Sequence, residues 1–397
     1  MSEAARQHLE AIFGAGVAEC HPSRLLPPHL PEPPPGRTMV LALGKAAVPM
    51  ARVVEEHWGG PLCGLAVTRR GAGEPLGRLD IMTAGHPVPD ESSLDAARRL
   101  LALARSAQAE DLVLVLLSGG ASALACLPSP GIALADKRRI TTALLRAGAP
   151  VGEINCVRRH LSLFKGGGLA AAAHPAKLLT LATSDVVGDR PEDIGSGPTA
   201  ADPSSIEDAR SILRRYRIEE PQAGWRESEK SVPGEYKVVG SGRSAVDGAA
   251  RKAAELGYLP RIIGYDCTGE ARQVAVAHAR FALQASGPAA LISGGELTVT
   301  LEGSGRGGPN QEYALALALA LRGAPGICAL ATDTDGIDGS GEAAGAFIDP
   351  RTLRQSGAEE ALARNDSGGF FAARQDLFVT GPTGTNVNDL RIILIDP

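Results

Sequence analysis

The sequence predicts an α/β protein of two domains with mostly parallel sheets flanked by helices, and three observations carry that expectation. Short runs such as 38–43 (TMVLAL), 111–117 (DLVLVLL) and 178–183 (LLTLAT) are apolar on both faces, as strands inside a helix-covered, mostly parallel sheet must be. They alternate with helical stretches; in 92–107, Leu94, Ala97, Leu101 and Ala104 fall on one helical face. The chain has 397 residues, too many for one ordinary core.

A second series repeats the pattern. Residues 236–239, 261–265, 289–292, 327–331, 377–380 and 390–395 read as strands, and 245–256 and 313–321 as helices. Between the series, 218–235 is polar, contains Pro and Gly, and marks the boundary. The expected domains are 1–225 and 232–397, facing an active-site cleft and hinging near 218–235. The Pro-rich stretch 22–35 reads as an extended surface connection.

Composition removes several function classes. Hydrophobic residues are 44% and charged residues 21%, which is globular and not disordered. Aromatics are only 4%, and 40 Lys+Arg face 45 Asp+Glu. That balance argues against nucleic-acid and membrane partners. No apolar run approaches the roughly 20 residues that span a bilayer. The start of the chain lacks the basic and apolar regions of a signal peptide. The six cysteines form no C-x-x-C and read as reduced core thiols. The expectation is a cytoplasmic protein acting on a small molecule; a homodimer is left open.

Nearly every buried strand ends in a Gly, Ser, Thr or Asp cluster. In open α/β sheets the carboxyl edge of the strands is where ligands bind. Gly44-Lys45 separates a strand from a helix, where a lysine beside free amides suits a phosphate. Ser118-Gly119-Gly120-Ala121-Ser122 can form an anion nest of backbone amides. The segment 184–193 is dense in carboxylates; Asp185 and Asp189 are candidates for a general base or a metal ligand, and Asp193 for a helix cap. Gly240-Ser241-Gly242-Arg243-Ser244-Ala245 matches G-x-G-x-x-A, with Asp266 at the next strand end, close to a dinucleotide fingerprint. Residues 303–312 form a glycine-rich loop ahead of a helix. Residues 332–339 carry three carboxylates without the EF-hand's closing Glu, since Ala344 stands there. Residues 380–389 are a polar set between two apolar strands, suited to lining a cleft. His86, in Gly-His-Pro-Val-Pro, reads as a rigid turn, and His160 as a surface or capping residue.

Together these motifs resemble the glycerate 2-kinase family, also called the MOFRL family. The resemblance covers nearly the whole chain: LGKAA at 43–47, GHPVPD at 85–90, LLSGGASAL at 116–124, VRRHLSLFKGGGLA at 157–170, TSDVVGDRPEDIGSGPT at 183–199, ISGGELTV at 292–299, GRGGPNQEYALALA at 305–318, TDTDGIDG at 332–339 and TGPTGTNVNDL at 380–390. It implies a Rossmann-like N-terminal domain and transfer of phosphate from ATP, with Mg2+, to the 2-hydroxyl of glycerate or a related sugar acid. By that pattern Lys45 contacts phosphate, and Asp185 and Asp189 lie beside the hydroxyl and the metal. Ser118, Gly119, Gly120, Ser122, Lys165 and Gly166 hold the nucleotide; the G-x-G-x-x-A spacing, apart from the resemblance, adds Gly240, Gly242 and Asp266 as nucleotide contacts. Arg306, Asn310, Asp335 and Asn386 face the substrate. One position departs: the family's G-G-R-N-Q-E reads Gly307-Gly308-Pro309-Asn310 here, with Arg306 three residues before Pro309.

The alternative is an NAD(P)-dependent hydroxypyruvate reductase, supported by the G-x-G-x-x-A and Asp266. No single His, Arg and acid set for hydride transfer presents itself against that support.

Overall fold

The computed structural model describes residues 1–396 except 73, 340 and 355. The chain divides into two compact units, one of residues 25–239 and one of residues 1–24 with 240–397.

The first unit holds a six-stranded sheet. In chain order its strands are β1 (Thr38–Leu43), β2 (Leu62–Arg69), β3 (Asp80–Ala84), β4 (Leu112–Leu117), β5 (Lys177–Ser184) and β6 (Glu235–Ser241). The spatial order is β3-β2-β1-β4-β5-β6, and the β1–β2, β1–β4, β2–β3 and β4–β5 pairs are parallel. This is the order of a doubly wound sheet, with its switch point between β1 and β4. Alternation explains the strands' uniform apolarity. Met39, Leu41, Val113 and Val115 pack on one face with helix Glu91–Arg105. Val40, Ala42, Leu114 and Leu116 pack on the other with helix Ala47–His57.

The second unit holds β7 (Leu259–Gly264), β8 (Gly269–Glu270), β9 (Ala289–Ser293), β10 (Leu297–Thr298), β11 (Ile327–Asp333), β12 (Gly345–Ile348), β13 (Leu377–Phe378) and β14 (Asp389–Ile395). Six of these form a sheet in the order β13-β12-β11-β14-β9-β7. Here the expectation of a mostly parallel sheet is corrected. Only β7–β9 is parallel; the β9–β14, β14–β11, β11–β12 and β12–β13 pairs are antiparallel. Apolarity on both faces misled, because it reports helices on both sides, not strand direction. Ala289, Leu291, Ala329 and Ile393 meet helices Ala271–Gln284 and Pro309–Leu321. Ala290, Ile292, Leu330 and Ile392 meet helices Glu3–Glu19 and Gly242–Glu255.

The units differ from the expected domains 1–225 and 232–397 in two places. Residues 1–24 belong with the C-terminal unit, since Leu9, Ile12 and Phe13 share a core with Val246 and Ala249. Gly16 permits this packing: a Cβ there would sit 2.9 Å from the Ala245 carbonyl. Residues 236–239, expected to open the second series, form the edge strand β6 of the first sheet. The Pro-rich stretch 22–35 is also not wholly extended, because Pro22–Leu25 and Pro27–His29 are helical turns and Leu26 is buried.

The cysteines are free thiols; Cys20, Cys126, Cys156 and Cys328 are buried and Cys63 and Cys267 half-buried. Among the described residues no helix is long and apolar enough to cross a membrane.

Candidate active site at the carboxyl edge of the first sheet

β1 and β4 run side by side, with Leu43 opposite Leu117, so the loops after them emerge together. They are stitched by main-chain bonds. The Lys45 amide donates to the Gly119 carbonyl at 2.8 Å, and the Ala46 amide donates to Ser118 Oγ at 3.0 Å. Gly44 makes the approach possible: its φ is +133°, and a Cβ there would lie 2.1 Å from Ser118 Oγ. Lys45 thus leaves the sheet at its switch point, half-buried. Helix Ala47–His57 follows with no side chain accepting at its N-cap, Ala46. The Ala47 amide donates to the Gly44 carbonyl at 3.2 Å and Pro49 carries no N–H, so this helix start offers few main-chain donors to an anion.

Gly120 adopts φ +83° and starts the short helix Ala121–Leu124. A Cβ at 120 would sit 2.9 Å from His86 Nε2 and 3.3 Å from Lys45 Cγ, so both side chains border this glycine. Beyond it, the Ser122 and Ser196 hydroxyls lie 2.9 Å apart. Ser196 Oγ donates to Asn155 Oδ1 at 2.9 Å, and Asn155 Nδ2 donates to the Asp193 carbonyl at 3.2 Å. Asp193 also receives Arg159 at 3.3 Å. This buried chain ties the glycine-rich loop to the acidic segment after β5. Asp193 therefore accepts from buried donors and makes no side-chain cap bond to the turn Ile194–Ser196, as had been expected of it.

Asp185 directly follows β5, half-buried. β5 lies beside β4, so Asp185 shares the carboxyl edge with Lys45 at about two strand spacings, roughly 10 Å. Asp189 lies in the turn that follows, at φ +52°, its amide bonded to the Val186 carbonyl at 3.1 Å.

Lys165 is placed differently from the expectation that it touches nucleotide. It is buried, and Nζ donates to the Ser122 carbonyl at 2.7 Å and the Ala125 carbonyl at 3.1 Å. Burial pulls its pKa well below the usual lysine range. It supports the loop from within, while the Gly166 amide bonds the Ser196 carbonyl at 3.1 Å. His160 also departs from expectation: it is fully buried, with Nδ1 2.9 Å from the Cys156 carbonyl.

The C-terminal unit places its residues as follows. Residues 332–339 and 380–389 are bound to each other: Thr334 Oγ1 donates to the Asn388 carbonyl at 2.6 Å, and the Val387 amide donates to Thr334 Oγ1 at 3.0 Å. Asp335 and Asn386 are both buried there, and Asp335 Oδ1 accepts the Ile337 amide at 2.8 Å. Asn310 is a buried bridge. Its Nδ2 donates to Asp389 Oδ1 at 2.7 Å and to Asp338 Oδ1 at 3.3 Å. Arg306 is exposed, its amide donating to Asp366 Oδ1 at 3.0 Å. Asp338 also accepts the Asn310 and Gln311 amides, capping helix Pro309–Leu321. Burial still pushes its pKa up to about 7. Arg391 is nearly inaccessible and pairs with Asp389 at 2.7 Å.

Gly240, Gly242 and Asp266 do not form the dinucleotide fingerprint. That motif needs two neighbouring parallel strands joined by one helix. Here β6 belongs to the first sheet and β7 to the second, and Asp266 is exposed beyond the end of β7.

Sequence reasoning missed Asn155, Ser196 and Arg391, and it turned Asn310 toward substrate where the structure has it bridging Asp338 and Asp389. Arg391 left a signal, a lone charge inside the apolar run LRIILI. Asn155 left none.

Comparison with known proteins agrees with the geometry. The MOFRL family model matches residues 289–389, and a domain of unknown function, DUF4147, matches residues 8–227. D-glycerate 2-kinase of Thermotoga maritima is 39% identical over 99% of this chain and 97% of its own. The chain belongs to the glycerate kinase family. The crystal structure of glycerate kinase from Thermotoga maritima superposes with a TM-score of 0.90 at 38% identity, covering 99% of this chain and 100% of that one. An Agrobacterium vitis protein provisionally named hydroxypyruvate reductase is 46% identical over 98% of this chain and 94% of its own. The chain is thus similar to relatives carrying either name.

Proposed function

We propose that this protein transfers the γ-phosphoryl group of ATP to the 2-hydroxyl of glycerate, giving 2-phosphoglycerate and ADP. The observation that carries this reading is the stitched pair of loops at the switch point, where Lys45 and the Ser118–Ser122 segment meet. Phosphoryl transfer asks a protein chiefly for positioning and for neutralisation of charge. Lys45 supplies a cation at the switch point, and the glycine-rich loop supplies main-chain donors.

Asp185 and Asp189 are the residues that would hold Mg2+. Among the described residues no three His, Cys, Asp or Glu side chains converge on a metal position. Two oxygen donors still fit an ion that usually takes one or two carboxylates plus substrate phosphates. When bound, Mg2+ would supply charge neutralisation at the phosphates. One of the two carboxylates orients the glycerate hydroxyl and receives its proton as the new P–O bond forms. Lys45 steadies the phosphoryl oxygens, and the Ser122–Ser196–Asn155 chain keeps the loop in register with the acidic segment.

The reductase reading loses the feature that supported it, because the G-x-G-x-x-A lies between strands of different sheets. Purified protein with Mg·ATP and D-glycerate, and in parallel with NADH or NADPH and hydroxypyruvate, separates the two. ADP and phosphoglycerate support the kinase; nicotinamide oxidation alone refutes it.

A further inference from the structure

The segment following β3 is a locally complete turn. The Gly85 amide donates to Asp90 Oδ1 at 3.1 Å, and the same oxygen accepts the Ser93 amide at 3.1 Å, capping helix Glu91–Arg105. Those bonds close the turn without the His86 ring. Yet the ring projects out of the turn and lies against Gly120, where a Cβ would sit 2.9 Å from Nε2. β3 and β4 are separated by β2 and β1, so this segment leans inward over about three strand spacings, roughly 14 Å. Its ring arrives beside Lys45, whose Cγ borders the same glycine. The left-handed conformation of Gly120, φ +83°, and its missing side chain let the His86 ring and the Lys45 side chain pack close on the same backbone position.

We infer that His86 is a phosphate-contacting residue of this site, donating from Nε2 to a phosphate oxygen of ATP beside the Lys45 ammonium; the inference rests on the kinase reading above. An imidazole carries a ring N–H in both charge states, so it can donate to a phosphate across neutral pH. The contact is a hydrogen bond only: His86 takes no proton from the hydroxyl, which leaves that step to the carboxylates.

The test compares His86→Ala, His86→Gln and His86→Leu with the wild-type chain. Steady-state kinetics and calorimetric titration with Mg·ATP are the readouts. The Gln amide places an N–H donor near the position of Nε2, and Leu fills the space without a donor. His86→Ala and His86→Leu are expected to weaken Mg·ATP binding and raise its KM about tenfold. The KM for glycerate and the shape of the kcat pH profile are expected to hold, and His86→Gln is expected to recover most of the loss. Unchanged Mg·ATP affinity in the Ala and Leu variants overturns the inference. So does equal loss in Gln and Leu, which would mean packing, or loss of one limb of the pH profile, which would mean a base. Wild-type protein that binds Mg·ATP but makes no phosphoglycerate refutes the kinase reading instead, and the titrations then decide the role of His86 alone.

Discussion

The ammonium of Lys165 donates to the carbonyl of Ser122 at 2.7 Å, so a lysine expected to meet nucleotide instead holds the glycine-rich loop from its buried side. Its second bond, to Ala125 at 3.1 Å, fixes the end of helix Ala121–Leu124. Replacing Lys165 with Met keeps most of the volume and removes both donors. Two buried carbonyls then lose a partner, a cost of about 1–3 kcal/mol each where water cannot replace it. Thermal melts should show a lower Tm, and kinetics a higher KM for Mg·ATP with kcat less affected. An unchanged KM would show that the loop keeps its shape without Lys165.

Gly120 tests the other side of the same loop. An alanine there must hold φ +83° and place its methyl 2.9 Å from His86 Nε2. The strain is of order 1–3 kcal/mol, and the two neighbouring side chains are displaced. Gly120→Ala is expected to keep its circular dichroism spectrum and lose at least about tenfold in kcat/KM, the rate equivalent of 1.4 kcal/mol. Full activity would mean that the Lys45–Gly120–His86 arrangement is not used.

Asp338 predicts a pH dependence of stability. Its pKa is raised by burial to about 7 in the folded protein, against about 3.9 when unfolded. Between those values the folded state holds a proton that the unfolded state has released. This contribution to stability is complete below about pH 4 and is lost as pH rises through 7. Urea midpoints of wild type and Asp338→Asn at pH 5 and pH 8 measure it. The variant should fall less between the two pH values than the wild type; parallel falls would remove Asp338 as the cause.

Asp266 carries a prediction of no effect. Because β6 and β7 lie in different sheets, Asp266 does not occupy the ribose-binding position of a dinucleotide site. Asp266→Ala should leave Mg·ATP affinity within about twofold of wild type by calorimetry, well under the 1.4 kcal/mol of a tenfold change. A large loss would restore the fingerprint reading.

Much of the fold was legible because it rests on short-range signals. The runs TMVLAL and LVLVLL alternate side chains between two buried faces, and that pattern is visible in one strand alone. Strand direction is not local, and β14 reads the same whether its neighbours run with it or against it. That is why the second sheet was expected to be mostly parallel. The N-terminal helix was likewise placed by sequence order, although Leu9 and Phe13 pack against Val246, more than 200 positions away. In the site, glycines announced the loops, since turns such as those at Gly44 and Gly120 need φ values that other residues avoid. Roles within the loops were harder to read. Whether a lysine points to a ligand or to a carbonyl depends on a partner such as Ser122, which no spacing rule names.

The most direct test of the account is production of ADP and 2-phosphoglycerate from Mg·ATP and D-glycerate by wild-type protein and by Lys45→Ala. Substoichiometric or absent product from the wild type, or equal kcat/KM in the two proteins, would contradict it. The account predicts stoichiometric ADP and 2-phosphoglycerate from the wild type, and loss of at least about a thousandfold, near 4 kcal/mol of transition-state stabilisation, in a Lys45→Ala variant with an unchanged circular dichroism spectrum.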